Sequence, residues 1–388
     1  MLWGYGARNC WCFKEWMEID FSLNENVPKD VSMGLPVSTA LCLKGANASG
    51  KTSALKVLSF IVFFATRSFS LRPEDGIPFE SFFHNTETSE FYISFSHEDT
   101  LYRWEFEVLR NKILSEKLFA KQTGADEKEK AVFERKEDEV VRNSLFANHE
   151  SIKYRKNVSF ISMLHQFEVE EIAGIYSFFD GFISNVSFYG YDDESFRNVN
   201  IISYIYKKNP GYLKFARDVI KIFDVGVENI EIKIKSDEEK EVYYPVFYHK
   251  ADDALRPLLI HNESSGTRAL FFYLGRYYEA LTSGGVILLD EFDVFLHPEL
   301  LQYLLRFFIN SDFNKKGAQA IFSTQNIDIM DRLLKYRLYI FQKEAGRSFC
   351  YRLDELPSSL IRNDRPVSSL YRKNVLGGVP EIGQYKGE

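Results

Sequence analysis

Residues 38–66 constrain this chain more than any other stretch. An apolar run at 38–43 ends in Lys44-Gly45-Ala46-Asn47-Ala48-Ser49-Gly50-Lys51-Thr52, and residues 53–66 continue as a helix that is apolar on most faces. A strand, a glycine loop and a helix in this order form an anion cradle. The glycines let backbone N–H groups curl around a phosphate, and the helix start adds the positive end of its dipole. The pattern Gly45-x-x-x-x-Gly50-Lys51-Thr52 is a complete phosphate-binding loop. In it Gly45, Ala46, Asn47, Ala48, Ser49, Gly50 and Ser53 surround the nucleotide, and Lys51 reaches the β- and γ-phosphates. The Thr52 hydroxyl holds Mg²⁺. A glycine turn beside a surface lysine would leave the Lys51-Thr52 pair without a role. A helix so apolar expects cover on both sides.

Far downstream, Val286-Ile287-Leu288-Leu289 is followed by Asp290-Glu291. Four consecutive apolar residues indicate a strand buried on both faces. Asp290 then falls at the strand's C-terminal end, where it serves Mg²⁺ together with Thr52. Glu291, one residue on, is placed to orient or deprotonate an attacking water. Adjacent carboxylates also occur in solvated turns, but the buried strand and the upstream loop favour catalysis. ATP and Mg²⁺ are the cofactors expected, with Lys51 and Glu291 as catalytic residues.

Composition narrows the class. With 48 basic and 55 acidic residues the 388-residue chain carries −7, which argues against a surface devoted to nucleic acid but leaves a local basic groove open. Basic residues cluster at 153–156, 207–208 and 332–337, each ordinary for a solvated helix end. Four cysteines are too few and scattered for a disulfide framework, and Cys10 and Cys12 have no second pair at zinc spacing. The start of the chain lacks a basic-then-apolar leader, and the longest apolar run, 54–65, contains Lys56. A soluble, cytoplasmic protein without membrane partners is expected.

The organisation reads as a nucleotide core split by an insertion. Residues 1–66 hold the first strands and the phosphate loop. Residues 67–255 hold an antiparallel meander, with period-two strands at 91–95, 101–108, 113–119 and 131–135, then a helical region over 144–225 and short strands at 230–235 and 242–248. The charged stretch 121–139 reads as a solvated hairpin tip. Residues 256–355 alternate helix and strand, which marks a parallel sheet. Residues 356–388 read as a surface tail.

Glu263-Ser264-Ser265-Gly266-Thr267-Arg268 opens a helix twenty-four residues before the acidic strand end, counted from Gly266 to Asp290. Taken alone this is a helix N-cap. Ordered between the two nucleotide motifs, it resembles the signature of ABC-type ATPases. That resemblance implies that Ser264, Ser265 and Gly266 bind the γ-phosphate held by another copy's loop, so the working unit is a dimer or larger. It implies also that Asp293, in Phe292-Asp293-Val294-Phe295-Leu296-His297-Pro298, communicates across that interface. His297 then fits a Leu-His-Pro pattern or caps the next helix. Where this superfamily places a switch histidine the run is Ser323-Thr324-Gln325-Asn326, so Gln325 takes that role without a titrating proton, which favours slow hydrolysis. Gln166 and Gln122 are the candidates for the glutamine that senses Mg²⁺, and each also reads as a surface residue.

The opening Arg8-Asn9-Cys10-Trp11-Cys12-Phe13, the run Ser162-x-Leu164-x-Gln166-Phe167, and the terminal Tyr371…Gly377-Gly378-Val379-Pro380 resemble the abortive-infection (overcoming-lysogenization-defect-like) group of SMC-like AAA/ABC ATPases. The resemblance implies an α/β fold, a P-loop NTPase of ABC-ATPase type with a mainly parallel central sheet, an antiparallel meander and an inserted helical lobe. It implies an ATPase subunit of a bacterial anti-phage system that senses infection and controls a separate effector, a nuclease or toxin. Nucleic acid or a phage protein remains open as a further partner. The 63 residues after Gln325 lack the acidic clusters of an attached nuclease. The alternative is a DNA-repair ATPase resembling RecF and SMC proteins, which clamps duplex DNA as an ATP-dependent dimer.

Overall fold

The computed structural model describes residues 1–124, 128–145, 153–192, 197–237, 240–252, 254–294, 296–357, 359–361 and 365–380. Of the expected features, Ala125 and Asp126 of the charged stretch and Phe295 lie outside these residues.

In chain order, β1 (Leu2–Arg8) and β2 (Met17–Asp20) precede the one-turn α1 (Lys29–Ser32), and β3 (Ala40–Gly45) leads through the glycine loop into α2 (Lys51–Arg67). β4 (Ser89–His97), β5 (Thr100–Leu109), β6 (Lys112–Gln122), β7 (Lys130–Lys136) and β8 (Glu139–Asn143) follow. Next come α3 (Phe160–Gln166), α4 (Ala173–Asp180), β9 (Phe182–Ser184), β10 (Val186–Ser187) and β11 (Gly190–Tyr191). A lobe of α5 (Val199–Lys208), α6 (Pro210–Phe223), β12 (Val227–Asp237), β13 (Lys240–Ala251) and β14 (Ala254–Leu259) precedes α7 (Ser265–Ser283). The chain then runs through β15 (Val286–Leu289), α8 (Pro298–Ile309), β16 (Gln319–Ser323), α9 (Ile329–Leu333), β17 (Leu338–Glu344), β18 (Arg347–Arg352) and α10 (Val367–Arg372).

A six-stranded sheet, ordered β18-β17-β3-β16-β15-β9, positions the nucleotide motifs. β17, β3, β16, β15 and β9 pair in parallel, and β18 is antiparallel at one edge. Side chains alternate between its faces. Leu41, Leu43, Val286, Leu288, Ile321 and Phe341 enter one core with α2. Ala40, Cys42, Ile287, Leu289, Phe322 and Ile340 enter the other with α7 and α8. This two-sided burial is what the uninterrupted apolar runs require, and the common direction of the five parallel strands places their C-terminal exits along one sheet edge, where a ligand belongs.

The second sheet is wholly antiparallel, seven strands ordered β2-β1-β4-β5-β6-β7-β8. Its meander strands match the period-two stretches. β1 joins the sheet by pairing with β4, through contacts such as Tyr5↔Ile93 and Ala7↔Phe91, and carries β2 on its other side (Tyr5↔Ile19). Phe60 and Phe64 of α2 pack on its rings, Phe60 at 4.9 Å from Phe91 and Phe64 at 5.0 Å from Phe106. Among the described residues α2, with its following turn (Lys51–Ser70), is the one helix of membrane-spanning length and apolarity, and 56% of its most apolar window is buried within the protein.

Two expectations are corrected, and one strand is added that the sequence pattern does not show. The region 144–225 is not helical throughout, because β9 pairs with β15 (Ile183↔Ile287), and three residues are too few for a period to show. β14 pairs with β13 although Ala254-Leu255-Arg256-Pro257 has no alternation; tertiary pairing overrides it. The tail does not merely lie on the surface, since Val367, Tyr371 and Leu376 are buried.

Candidate nucleotide site

The loop has the backbone that an anion cradle needs. Gly50 has φ +113, the conformation that favours glycine, and a Cβ there would also crowd Ser348 Oγ at 3.0 Å and Cys12 Sγ at 3.1 Å. No side chain caps α2, which leaves the N–H groups of its first turn directed toward the loop. Lys51, only 8% exposed, folds back so that Nζ donates to Gly45 O and Ala46 O, each at 2.9 Å. Burial lowers its pKa, opposed by the charges of Asp290 and Glu291.

Across the sheet, Thr52 Oγ1 donates to Asp290 Oδ2 at 2.6 Å, joining residues 238 positions apart. The other carboxylate oxygen, Oδ1, accepts from Ser323 Oγ. The Asp290 backbone is clamped by Asn185, whose Oδ1 accepts from Asp290 N (2.7 Å) and whose Nδ2 donates to Asp290 O (3.0 Å). Glu291 is exposed and sits at φ +48, a left-handed conformation held by its N–H donating to Ser323 Oγ at 2.9 Å. A non-glycine residue kept there against its preference is a form of strain that clusters at functional sites.

Gln325 lies between two of the motifs. Its N–H donates to Asp293 Oδ2 (3.1 Å), and its side-chain Nε2 donates to Asn47 Oδ1 of the phosphate loop (3.1 Å). His297 caps α8, with Nδ1 accepting from Glu299 N at 3.3 Å. The structure therefore gathers residues 45–52, Asp290, Glu291, Asp293 and Gln325 at one sheet edge.

Ser264, Ser265 and Gly266 are not part of that gathering. They open α7, where Ser264 Oγ accepts from Thr267 N (3.1 Å) and pairs with Thr267 Oγ1 (2.8 Å), while Thr267 Oγ1 donates to Asp224 Oδ2 (2.7 Å). Ser264 and Ser265 are exposed. Gln166 ends α3 and Gln122 ends β6, both exposed, and neither hydrogen-bonds to the site. The amide that reaches the acidic strand end belongs to Asn185. That residue, Ser323 and the buried Lys44 were not legible as site residues: each acts across a long sequence separation and none sits in a motif. A Lys next to the first loop glycine inside an apolar strand was the one available signal.

Thr52 and Asp290 supply hard oxygen donors at hydrogen-bond distance, and among the described residues no cluster of three His, Cys, Asp or Glu competes for a metal. That set fits Mg²⁺ bound with phosphates, since Mg²⁺ takes few protein ligands.

Fold and loop together define a P-loop nucleotide-binding protein. A family profile described as "AAA domain, putative AbiEii toxin, Type IV TA system" matches residues 41–331, and the chain belongs to that family of AAA domains. Among solved structures it is similar to an Smc head bound to the C-winged helix domain of ScpA (13% identity, TM-score 0.49, covering 91% of this chain and 98% of that one). It is similar also to the SMC head domain from Thermotoga maritima (13%, TM-score 0.46, 90% and 98%) and to an Smc head with an extended coiled coil bound to the C-terminal domain of ScpA, derived from Pyrococcus furiosus (11%, TM-score 0.47, 91% and 97%). No curated protein matches the chain.

Proposed function

We propose that the protein hydrolyses ATP at a site completed by a second copy of itself, and that it is the ATPase subunit of a bacterial anti-phage, abortive-infection system controlling a separate effector. The 2.6 Å hydrogen bond from Thr52 to Asp290 carries the chemical part, because it brings the loop hydroxyl and the strand-end carboxylate to where one Mg²⁺ would take both. The family's description, which names a toxin and a toxin–antitoxin system, supports the biological part.

In this mechanism Lys51 leaves the Gly45 and Ala46 carbonyls and pairs with the β- and γ-phosphates of bound ATP. Mg²⁺ held by Thr52 and Asp290 would neutralise phosphate charge. Glu291 orients the attacking water and takes its proton, its backbone fixed by Ser323. Gln325 donates a hydrogen bond near the γ-phosphate and carries no titrating proton, which makes turnover slow. Ser264, Ser265 and Gly266 of the neighbouring copy close the site with uncharged donors and a helix N-terminus, and Asp293 links the two sites. Their separation from the loop within one chain is what a site shared between copies requires.

Phosphate release from Mg-ATP tests the reading. Turnover that Lys51→Ala and Glu291→Gln both abolish supports it, and turnover indifferent to both refutes it.

A further inference from the structure

Lys44 is a charged residue that the mechanism above leaves unused. It is the last residue before the first loop glycine, 1% exposed, on a strand otherwise apolar. Its Nζ donates to Thr324 O (2.7 Å) and Asn326 O (3.2 Å) and stands over the Tyr371 ring, 5.7 Å from its centroid. An ammonium has three donors, and here two carbonyls and an aromatic face take them, with no carboxylate among the described residues at ion-pair distance. The two carbonyls belong to the residues on either side of Gln325.

Resting on the proposed ATPase reading, we propose that Lys44 is a positioning residue for Gln325: by holding the carbonyls that bracket it, Lys44 fixes the switch loop against the phosphate loop. With both flanking peptides held, the Gln325 N–H is aimed at Asp293 and its side-chain amide at Asn47. The terminal turn is part of the same arrangement. Tyr371, under the ammonium, donates from its hydroxyl to Gly378 O at 2.8 Å. Gly378, at φ +74, packs beside the phosphate loop: a Cβ there would crowd Ile340 Cγ2 at 2.9 Å and touch Gly45 Cα at 3.4 Å. Lys44 thus joins three segments at the phosphate loop: β3, the loop after β16, and the Gly377-Gly378 turn whose role the sequence left unassigned. Burial lowers its pKa, opposed by the charges of Cys42 and Asp293, and the two carbonyl acceptors fix where the ammonium sits. Lys44 touches no substrate position and acts through Gln325.

The test pairs amide hydrogen exchange over residues 323–327 of the nucleotide-free protein with steady-state kinetics in Mg-ATP. Lys44→Met removes the donors at nearly constant length. It is expected to raise exchange at Gln325 and Asn326 at least about tenfold and to lower kcat about tenfold while KM stays within about threefold, the loss that slight misplacement of a catalytic group produces. Combined with Gln325→Ala it is expected to cost no more than Gln325→Ala alone, because both remove one function. Lys44→Gln, which keeps a donor for Thr324 O, is expected to recover part of the loss and takes the place of Lys44→Met if the latter does not fold. Unchanged exchange in both variants, or additive losses in the double variant, overturns the proposal. Wild-type protein without turnover contradicts the ATPase reading instead, and the exchange result still decides the role of Lys44.

Discussion

The Glu116–Arg135 pair in the antiparallel sheet and the Lys51 and Asp290 side chains at the end of the parallel sheet bury charge under opposite rules. Glu116 and Arg135 are both fully buried, and Arg135 Nε donates to Glu116 Oε2 at 2.6 Å. Trp104 Nε1 and Phe160 N also donate to Glu116, each at 3.1 Å, and Arg135 Nη1 and Nη2 donate to Arg155 O and Val158 O. Each charge meets its counter-charge and the lone pairs are used, which is the arrangement that makes burial tolerable. Burial still raises the Glu116 pKa, with Arg135 the leading opposing influence. At the nucleotide site, Lys51 is satisfied by carbonyls of its own loop and Asp290 by two hydroxyls. Neutral partners can be exchanged for a phosphate and a cation without breaking an ion pair. The contrast separates charge that locks a fold from charge held ready for a ligand.

Three substitutions probe that contrast. Lys51→Ala has the largest expected effect on chemistry: phosphate release falls by at least about 10²–10³-fold, as when a charge-stabilising donor is removed. Its melting temperature stays close to wild type, because only loop carbonyls lose a partner and they can turn to water. Arg135→Met reverses the pattern. Urea unfolding is expected to show a loss of about 3–5 kcal/mol from the uncompensated Glu116 charge, with kcat of the folded protein unchanged. Equal effects of the two on both readouts would erase the distinction. Ser265→Ala has the smallest effect on the isolated chain's stability but lowers turnover through the neighbouring copy. Mixing it with Lys51→Ala protein is expected to restore part of the activity that each lacks alone, because a mixed pair contains one intact site. No restoration on mixing would mean that each chain works by itself.

What was legible in the sequence follows the same division. The loop and the acidic strand end are contiguous motifs, so Gly45 through Thr52, Asp290 and Glu291 could be read one by one, and four consecutive apolar residues sufficed to bury β15 on both faces. The meander was legible because strands such as β5 and β6 alternate over ten or more residues. β9 was not, since three residues show no period, and with it went the position of Asn185. Lys44 and Ser323 acquire their partners only when β3, β16 and β15 lie side by side in the sheet. The tail looked like surface because its Gly377-Gly378 pair reads as a flexible turn; the close approach to Gly45 is a property of the folded chain.

The shared site is the central claim, and the mass of Glu291→Gln protein tests it most directly. Light scattering would be run without nucleotide, with saturating Mg-ATP, and with Mg-ATP plus duplex DNA. Because Glu291→Gln is expected to slow hydrolysis while keeping the loop and the proposed Mg²⁺ ligands, ATP should hold two copies together. The account predicts at least twice the chain mass in Mg-ATP, unchanged by DNA. Assembly only when DNA is present would contradict the effector-controlling role in favour of a clamp. A single-chain mass in all three, with ATP bound, would contradict the shared site itself.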